Sequence, residues 1–244
     1  MLCRALATDY DGTLAEDGRV APATLDAIVR FKRTGRKAIL VTGRELDDLM
    51  DVFPRLDVFD DVVAENGALL YTPGAKPIEC ALCKPPPPEF VAELTARGVG
   101  PISCGRVIVA TWEPHEHTVL DVIRKQGLEL EVIFNKGAVM ILPTGVNKAS
   151  GLERSLARLG IASSAVVGVG DGENDGSLLA SCGFGVAVAN AIPALKERAD
   201  LVMVHPRGQG VVELIDQILL TDLRNVKPVK SVAKDVLDHA PLSR

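Results

Sequence analysis

Two carboxylates stand two positions apart at the end of an apolar run near the start of the chain. Residues 6–14 read LATDYDGTL, so Asp9 and Asp11 follow the apolar residues and precede Gly12 and Thr13. Carboxylates held close together repel one another, and their burial is costly unless a cation lies among them. Oxygen ligands suit Mg²⁺, which binds one or two carboxylates together with water and substrate phosphate. The segment therefore predicts part of a divalent-cation site.

Other polar residues stand where further predicted strands end or where a helix begins. They are Thr42, Gly43 and Arg44 after KAILV, Lys148 at the start of a predicted helix, and Asp171, Asn174 and Asp175 after SAVVGVG. Ligands of open α/β sheets bind beyond the carboxyl ends of the strands. If the strands are neighbours, these side chains meet the first two acids in one crevice.

This set of residue types suits phosphoryl transfer. A carboxylate beside a cation-held phosphoryl group can attack phosphorus and form an aspartyl-phosphate. A second carboxylate can protonate the leaving oxygen and then deprotonate the attacking water. A hydroxyl, backbone N–H groups and a lysine are the donors needed around the transferring oxygens. We therefore expect Asp9 to be the nucleophile and Asp11 the acid/base.

Short apolar runs that alternate with amphipathic stretches position these residues. Such runs predict a parallel sheet covered by helices on both faces. The rhythm breaks near KPPPPEF, residues 84–90, whose prolines suit a stiff connector. Beyond it, helices alternate with strands, and two strands meet near Lys136 and Gly137 as an antiparallel hairpin. The pattern predicts a small α+β insert over residues 80–144.

The segments DYDGTL, VTGR, GVNKASGL and GDGENDGSLL resemble, in order and spacing, the four motifs of the haloacid dehalogenase (HAD) superfamily of phosphohydrolases. The insert resembles the C2 cap of the branch with Cof-type, sucrose-phosphate and archaeal phosphoglycolate phosphatases. The resemblance implies an α/β fold: a Rossmann-like core of residues 1–79 and 145–220, with the cap, residues 80–144, between the second and third motifs. Residues 221–244 are left as a polar tail or a linker to an additional domain.

The resemblance also implies a role for each motif residue. Asp9 is nucleophile and metal ligand, and Asp11 is acid/base with a backbone carbonyl that binds the metal. The remaining assignments are Thr42, Gly43, Lys148 and Asn174 for the phosphoryl group, and Asp171 and Asp175 for Mg²⁺. As single features, each of these segments is also explained by a turn, a helix cap or a solvated charge.

Several residues have two readings that the sequence leaves open. Arg44 either binds substrate or pairs with a nearby acid. Trp112, Glu113 and His115, at the end of a predicted cap strand, either meet the leaving group or form a turn. A further pair, Cys80 and Cys83, forms a lone C-x-x-C; without a second close pair, incidental thiols are favoured over a zinc site.

Composition excludes several classes of protein. The chain has 244 residues and a net charge of -5, which does not suggest a nucleic-acid or membrane-surface binder. No apolar run approaches the roughly 20 residues that span a bilayer. The 5 cysteines are an odd number, and no signal peptide is evident, which favours the cytoplasm over a disulfide framework.

The resulting hypothesis is a Mg²⁺-dependent phosphomonoester hydrolase for a small metabolite, either a sugar phosphate or phosphoglycolate. Aromatic residues make up 4% of the chain, which argues against nucleotide stacking. Two alternatives remain: a phosphomannomutase-like phosphotransferase, and a non-catalytic domain that senses a phosphorylated metabolite. Oligomeric state is not predicted.

Overall fold

The computed structural model describes residues 2–226, in which short strands alternate with helices. In chain order these elements are β1 (Ala5–Thr8), β2 (Ala15–Glu16), β3 (Arg19–Val20), α1 (Pro22–Arg33), β4 (Lys37–Val41), α2 (Leu46–Val52), β5 (Asp61–Ala64), β6 (Leu69–Thr72), β7 (Ile78–Ala81), α3 (Pro88–Ala96), β8 (Ser103–Cys104), β9 (Val109–Trp112), α4 (Glu116–Gln126), β10 (Leu130–Asn135), β11 (Ala138–Pro143), α5 (Lys148–Leu159), β12 (Val166–Gly170), α6 (Gly176–Ser181), β13 (Phe184–Ala187), α7 (Pro193–Arg198), β14 (Leu201–Val202) and α8 (Arg207–Thr221).

The larger sheet has eight strands in the order β14-β13-β12-β1-β4-β5-β6-β7. The strands from β14 to β5 are parallel, and β6 and β7 add an antiparallel edge. The predicted α/β class with a parallel sheet is confirmed.

The central strands are apolar throughout because both of their faces are buried. In β1, Leu6 packs into a cluster with residues of α1 and α8, whereas Ala5 and Ala7 pack into a second cluster with residues of α5 and α6. Successive side chains of a strand point to opposite faces. Because a helix layer covers each face of the sheet, the strand lacks the alternation of apolar and polar residues that is expected of a half-exposed strand.

A second, four-stranded sheet has the antiparallel order β10-β11-β9-β8. Helices α3 and α4 pack against it through an apolar cluster that includes Phe90, Val119 and Ile141. The predicted hairpin is present: β10 and β11 pair from Leu130 to Pro143 and turn at Lys136 and Gly137. These elements form what we call the cap.

The predicted boundary at residue 80 cuts through an element of the larger sheet. In β7, Cys80 pairs with Leu70 and Ala81 pairs with Leu69. The sequence does not single out this strand, because a four-residue segment is too short to show a periodic pattern. The boundary therefore lies beyond Ala81, while the division into core and cap otherwise stays a prediction.

The predicted tail, residues 221–244, lies mostly outside the described residues. Within residues 2–226, α8 continues to Thr221, the first residue of the predicted tail. None of the helices between residues 2 and 226 is both long and apolar enough to cross a membrane.

Candidate active site

Three adjacent parallel strands deliver the predicted site residues to one edge of the larger sheet. In the order β12-β1-β4, the residues directly after the strands are Asp171, Asp9 and Thr42. Because the strands are parallel, their carboxyl ends meet at the same edge. The convergence expected from the sequence is therefore present.

A buried lysine joins two of the acids. The Nζ atom of Lys148 lies 2.6 Å from Asp9 Oδ1 and 2.6 Å from Asp175 Oδ1. The lysine is the first residue of α5, and the side chain of Asn147 caps that helix by accepting hydrogen bonds from the N–H groups of Ala149 and Ser150. The cap anchors the start of the helix, and with it the position of the ammonium group between the two carboxylates.

The environment raises the pKa values of both Asp9 and Lys148. Burial and then the charge of Asp175 raise the pKa of Asp9, against the lowering effect of Lys148. Burial by itself lowers the pKa of Lys148, but the charges of Asp175 and Asp9 outweigh it and raise that pKa. Lys148 therefore stays protonated. The carboxylates are crowded, so additional positive charge would stabilise them.

Backbone donors fix the loop after β12. The second carboxylate oxygen of Asp175 accepts hydrogen bonds of 2.9 Å from the N–H groups of Asp171 and Gly172. Gly170 permits this close approach, since a Cβ atom there would lie 2.5 Å from the carboxyl carbon of Asp175. Thr13 donates to Asp171 Oδ1 at 2.9 Å. The acids are thus held in place by the fold.

The donor set fits a hard divalent cation. Oxygens of Asp9, Asp171 and Asp175 all lie within 4.8 Å of one another, and these three residues are buried. The backbone carbonyl of Asp11 and Asp171 Oδ2 also share one cationic neighbour, the Nζ atom of Lys136, at 2.7 and 2.9 Å. Carboxylate and carbonyl oxygens are the ligands that Mg²⁺ prefers.

The carboxylate of Asp11 lies beside Arg44 rather than inside the buried trio. Arg44 donates from Nε to Asp11 Oδ2 at 2.6 Å and from Nη2 to Asp11 Oδ1 at 2.8 Å. It also pairs with Asp48 at 2.6 Å and stacks over the ring of Tyr10. The hydrogen bond to Asp11 raises the pKa of Arg44 further. Of the two readings of Arg44, the structure shows the pairing with local acids.

The residues predicted to hold a phosphoryl group lie around the same crevice. Thr42 is buried, and its hydroxyl accepts the N–H of Arg44 at 3.1 Å. Asn174 donates from Nδ2 to Asn66 Oδ1 at 3.0 Å, while its buried Oδ1 has no partner among the described residues. A Cβ atom at Gly43 would lie 3.4 Å from Asn174 Nδ2. The backbone at Gly43 therefore lies close to the amide of Asn174.

The cap residues predicted for specificity lie beside the hairpin tip. Trp112 pairs with Ala138 across the sheet and is exposed, and the N–H of Glu113 donates to the carbonyl of Gly137 at 3.0 Å. The imidazole of His115 lies 3.1 Å from the carbonyl of Gly100, inside the cap. Across residues 2–226, none of their side chains has a hydrogen bond to the core.

Sequence reasoning missed two residues that join cap and core. In the sequence Lys136 is recognisable only as part of a hairpin turn, yet its ammonium donates to the Asp11 carbonyl and to Asp171. Glu65, directly after β5, is buried, and its carboxylate accepts hydrogen bonds from the N–H groups of Arg106, Val107 and Ile108. An acid at the end of an apolar strand was the signal available for Glu65. No local pattern marks Lys136.

The cysteine pair carries no recognisable metal site. Cys80, Cys83 and Cys104 are free thiols. Among residues 2–226, the one group of Cys, His and acidic side chains with the spacing for a metal ion is the aspartate trio. The zinc alternative therefore gains no support.

Comparison with known proteins identifies the family. The sequence model of the haloacid dehalogenase-like hydrolases matches residues 6–94 and 118–215. A phosphoglycolate phosphatase of Methanothermobacter thermautotrophicus is 32% identical over 224 residues, covering 88% of this chain and 99% of the relative. A phosphoglycolate phosphatase of Aeropyrum pernix is 31% identical over 237 residues, covering 88% and 93%.

A solved structure shares the fold over nearly the whole chain. A putative HAD/COF-like hydrolase from Plasmodium vivax superposes with a TM-score of 0.76 at 19% identity, covering 91% of this chain and 96% of that one. The predicted resemblance to the superfamily is confirmed by the family model and the phosphatase relatives, as is the predicted enzyme class. The chain belongs to the haloacid dehalogenase-like hydrolase family and is a phosphatase of that family.

Proposed function

We propose that the protein is a Mg²⁺-dependent phosphomonoester hydrolase that acts on a small phosphorylated metabolite through an aspartyl-phosphate. The observation that carries the proposal is the buried cluster in which Lys148 contacts Asp9 and Asp175, with Asp171 alongside. A structural salt bridge needs one acid for one lysine. An excess of buried carboxylates at strand ends is instead suited to a bound cation and its substrate.

In this proposal Asp9 attacks phosphorus. Its carboxylate is oriented by Lys148, whose ammonium also offsets the negative charge of the phosphoryl oxygens. Asp11 protonates the leaving oxygen and then takes a proton from the hydrolytic water. Arg44 donates a hydrogen bond to each carboxylate oxygen of Asp11 and so positions this acid/base at the mouth of the crevice.

Asp9, the Asp11 carbonyl, Asp171 and Asp175 would hold Mg²⁺, which supplies charge neutralisation between the anionic nucleophile and the anionic substrate. Thr42, Gly43 and Asn174 would hold the phosphoryl oxygens together with Lys148. Asn174 Nδ2 gives one hydrogen bond to Asn66 Oδ1, and its second N–H would donate to a phosphoryl oxygen.

We take phosphoglycolate as the leading substrate because the two relatives described above are phosphoglycolate phosphatases. The alignment with this chain covers 93% or more of their length. A sugar phosphate is the alternative. Either leaving group would face the cap, which lies across the crevice from the strand ends and is therefore the part that selects substrate.

The test is phosphate release from 2-phosphoglycolate, glucose 6-phosphate and p-nitrophenyl phosphate, with Mg²⁺ and with a chelator. Asp9→Asn is the matched control, because an amide of the same shape cannot attack phosphorus. We expect turnover that needs Mg²⁺ and falls about 10⁴-fold or more in the variant. Turnover retained in Asp9→Asn would contradict the proposed nucleophile. An isomerised sugar phosphate without free phosphate would indicate a phosphotransferase.

A further inference from the structure

The tip of the β10–β11 hairpin places a cap cation at the core site. Lys136 Nζ donates to the carbonyl of Asp11 at 2.7 Å and to Asp171 Oδ2 at 2.9 Å. The Lys136 side chain is 45% exposed, in contrast to the buried Asp171. The tip also contacts the loop after β12, where the N–H of Lys136 donates to Glu173 at 3.3 Å. The tip therefore projects into the mouth of the crevice.

The backbone at this tip is unusual for a lysine. Lys136 has φ 51° and is followed by Gly137 with φ 84°, so two successive residues adopt the left-handed conformation of a type I′ turn. Asn, Asp or Gly is favoured at the first of these positions, because larger side chains are disfavoured there. A disfavoured residue at a functional site points to a role for its side chain.

The two acceptors of Lys136 are atoms that the proposed function assigns to Mg²⁺. If the Asp11 carbonyl and Asp171 held a divalent cation, Lys136 would lose both acceptors, and its ammonium would be repelled by the cation. Lys148 is buried between Asp9 and Asp175, and Arg44 also pairs with Asp48, which is not assigned to the metal. The more exposed ammonium of Lys136 has no carboxylate partner besides Asp171 among residues 2–226, so it is the cation that the metal would displace, at the side of the crevice that the leaving group faces.

We propose that Lys136 is a specificity-determining residue that pairs with a carboxylate on the leaving alcohol of the substrate. The inference rests on the proposed function and deepens it, because it favours anionic leaving groups over neutral sugars. Phosphoglycolate carries its carboxylate on the carbon next to the ester oxygen, close to the phosphoryl group that Lys148 holds. An ammonium on a flexible stem can follow that carboxylate without moving the core.

The first test compares two esters of similar size, 2-phosphoglycolate and 2-hydroxyethyl phosphate, in which a hydroxymethyl group replaces the carboxylate. We expect Lys136→Gln to lower the ratio of their kcat/KM values about 10- to 100-fold, as for loss of a charge-assisted hydrogen bond. Lys136→Arg should restore most of the preference. Lys125→Gln removes an exposed cap lysine that pairs with Glu93, away from the site, and should leave the ratio unchanged.

The second test follows Mg²⁺ binding without turnover. Trp112 is the single tryptophan and lies opposite Ala138, two residues beyond Lys136, so its fluorescence reports on the hairpin. Mg²⁺ should change this fluorescence in the wild-type protein and change it less in Lys136→Gln. The variant should also bind Mg²⁺ severalfold more tightly by calorimetry, because the competing ammonium is gone.

The outcomes separate this inference from the proposed function. If phosphate is released but Lys136→Gln leaves the ester ratio within threefold of wild type, the specificity role is wrong and the hydrolase proposal survives. Unaltered Mg²⁺ affinity in Lys136→Gln would contradict the competition between ammonium and metal. If no phosphate ester is hydrolysed in the presence of Mg²⁺, both proposals fail.

Discussion

Two lysines approach the same acidic cluster from opposite sides of the crevice, and their surroundings differ sharply. Lys148 comes from the core, at the start of α5, and its side chain is 1% exposed. Lys136 comes from the cap hairpin, and its side chain is 45% exposed. Each ammonium group contacts aspartate oxygens at 2.6 to 2.9 Å. Distance alone therefore does not distinguish them, whereas burial does.

The difference in burial separates a charge that stabilises the fold from one whose contacts can be replaced by other partners. Removing Lys148 leaves two buried carboxylates without their partner, which is strongly unfavourable. Lys136 can exchange its contacts with the protein for contacts with water, because an exposed ion pair contributes little stability. In the proposed function, the core side would therefore be a constant site for the phosphoryl group, and the cap side would carry the group that responds to metal and substrate.

The largest expected effect comes from Lys148→Met. We expect phosphate release to fall about 10²- to 10³-fold on every ester, since a donor to the developing charge is lost. We also expect the free energy of unfolding without Mg²⁺ to fall by about 3 kcal/mol, because two buried acids lose their cation. Urea denaturation and phosphate release measure these two effects. The matched control, Lys136→Gln, should cost less than about 1 kcal/mol. Equal costs in the two variants would break the comparison.

The next effect concerns another attachment of the cap to the core, through the buried Glu65. Glu65→Gln keeps the size of the buried side chain but turns a carboxylate that accepts three backbone N–H groups into an amide with one acceptor. We expect the free energy of unfolding to fall by about 2 kcal/mol, measured by urea denaturation. The control is Glu79→Gln, which alters an exposed ion pair of Arg106 and should cost less than about 0.5 kcal/mol. A smaller loss for Glu65 than for Glu79 would contradict the anchoring role.

The smallest effect tests an acid outside the crevice. Burial raises the pKa of Asp60, but hydrogen bonds from the Ala38 N–H and Lys37 outweigh it and hold that pKa below 3.8. A lowered folded-state pKa contributes stability above the unfolded value, and this stability is lost as the pH falls through the folded value. Asp60→Asn should therefore cost about 1 kcal/mol at pH 7 and progressively less below pH 3.8. Urea denaturation at several pH values measures the difference, and a cost that grows in acid would contradict the pKa direction.

The sequence by itself predicted the core and the core side of the crevice. Apolar strands such as β1 and β12 are local patterns, and the polar residues directly after them, Asp9 and Asp171, inherit their positions from the strands. The parallel pairing of β12, β1 and β4 then brings those positions together. This part could be predicted because strand period, helix caps and the carboxyl-end rule each depend on short stretches of chain.

Tertiary structure alone decided the cap side. Lys136 and Glu65 look like turn residues in the sequence, and β7 has only four residues, all of them exposed. Their contacts join residues far apart in the chain, such as Lys136 to Asp11 and Glu65 to Val107. These contacts depend on how the two sheets sit against each other, which no local pattern encodes. The physical reason is that a charge at a hairpin tip acquires its partner only when another part of the fold approaches it.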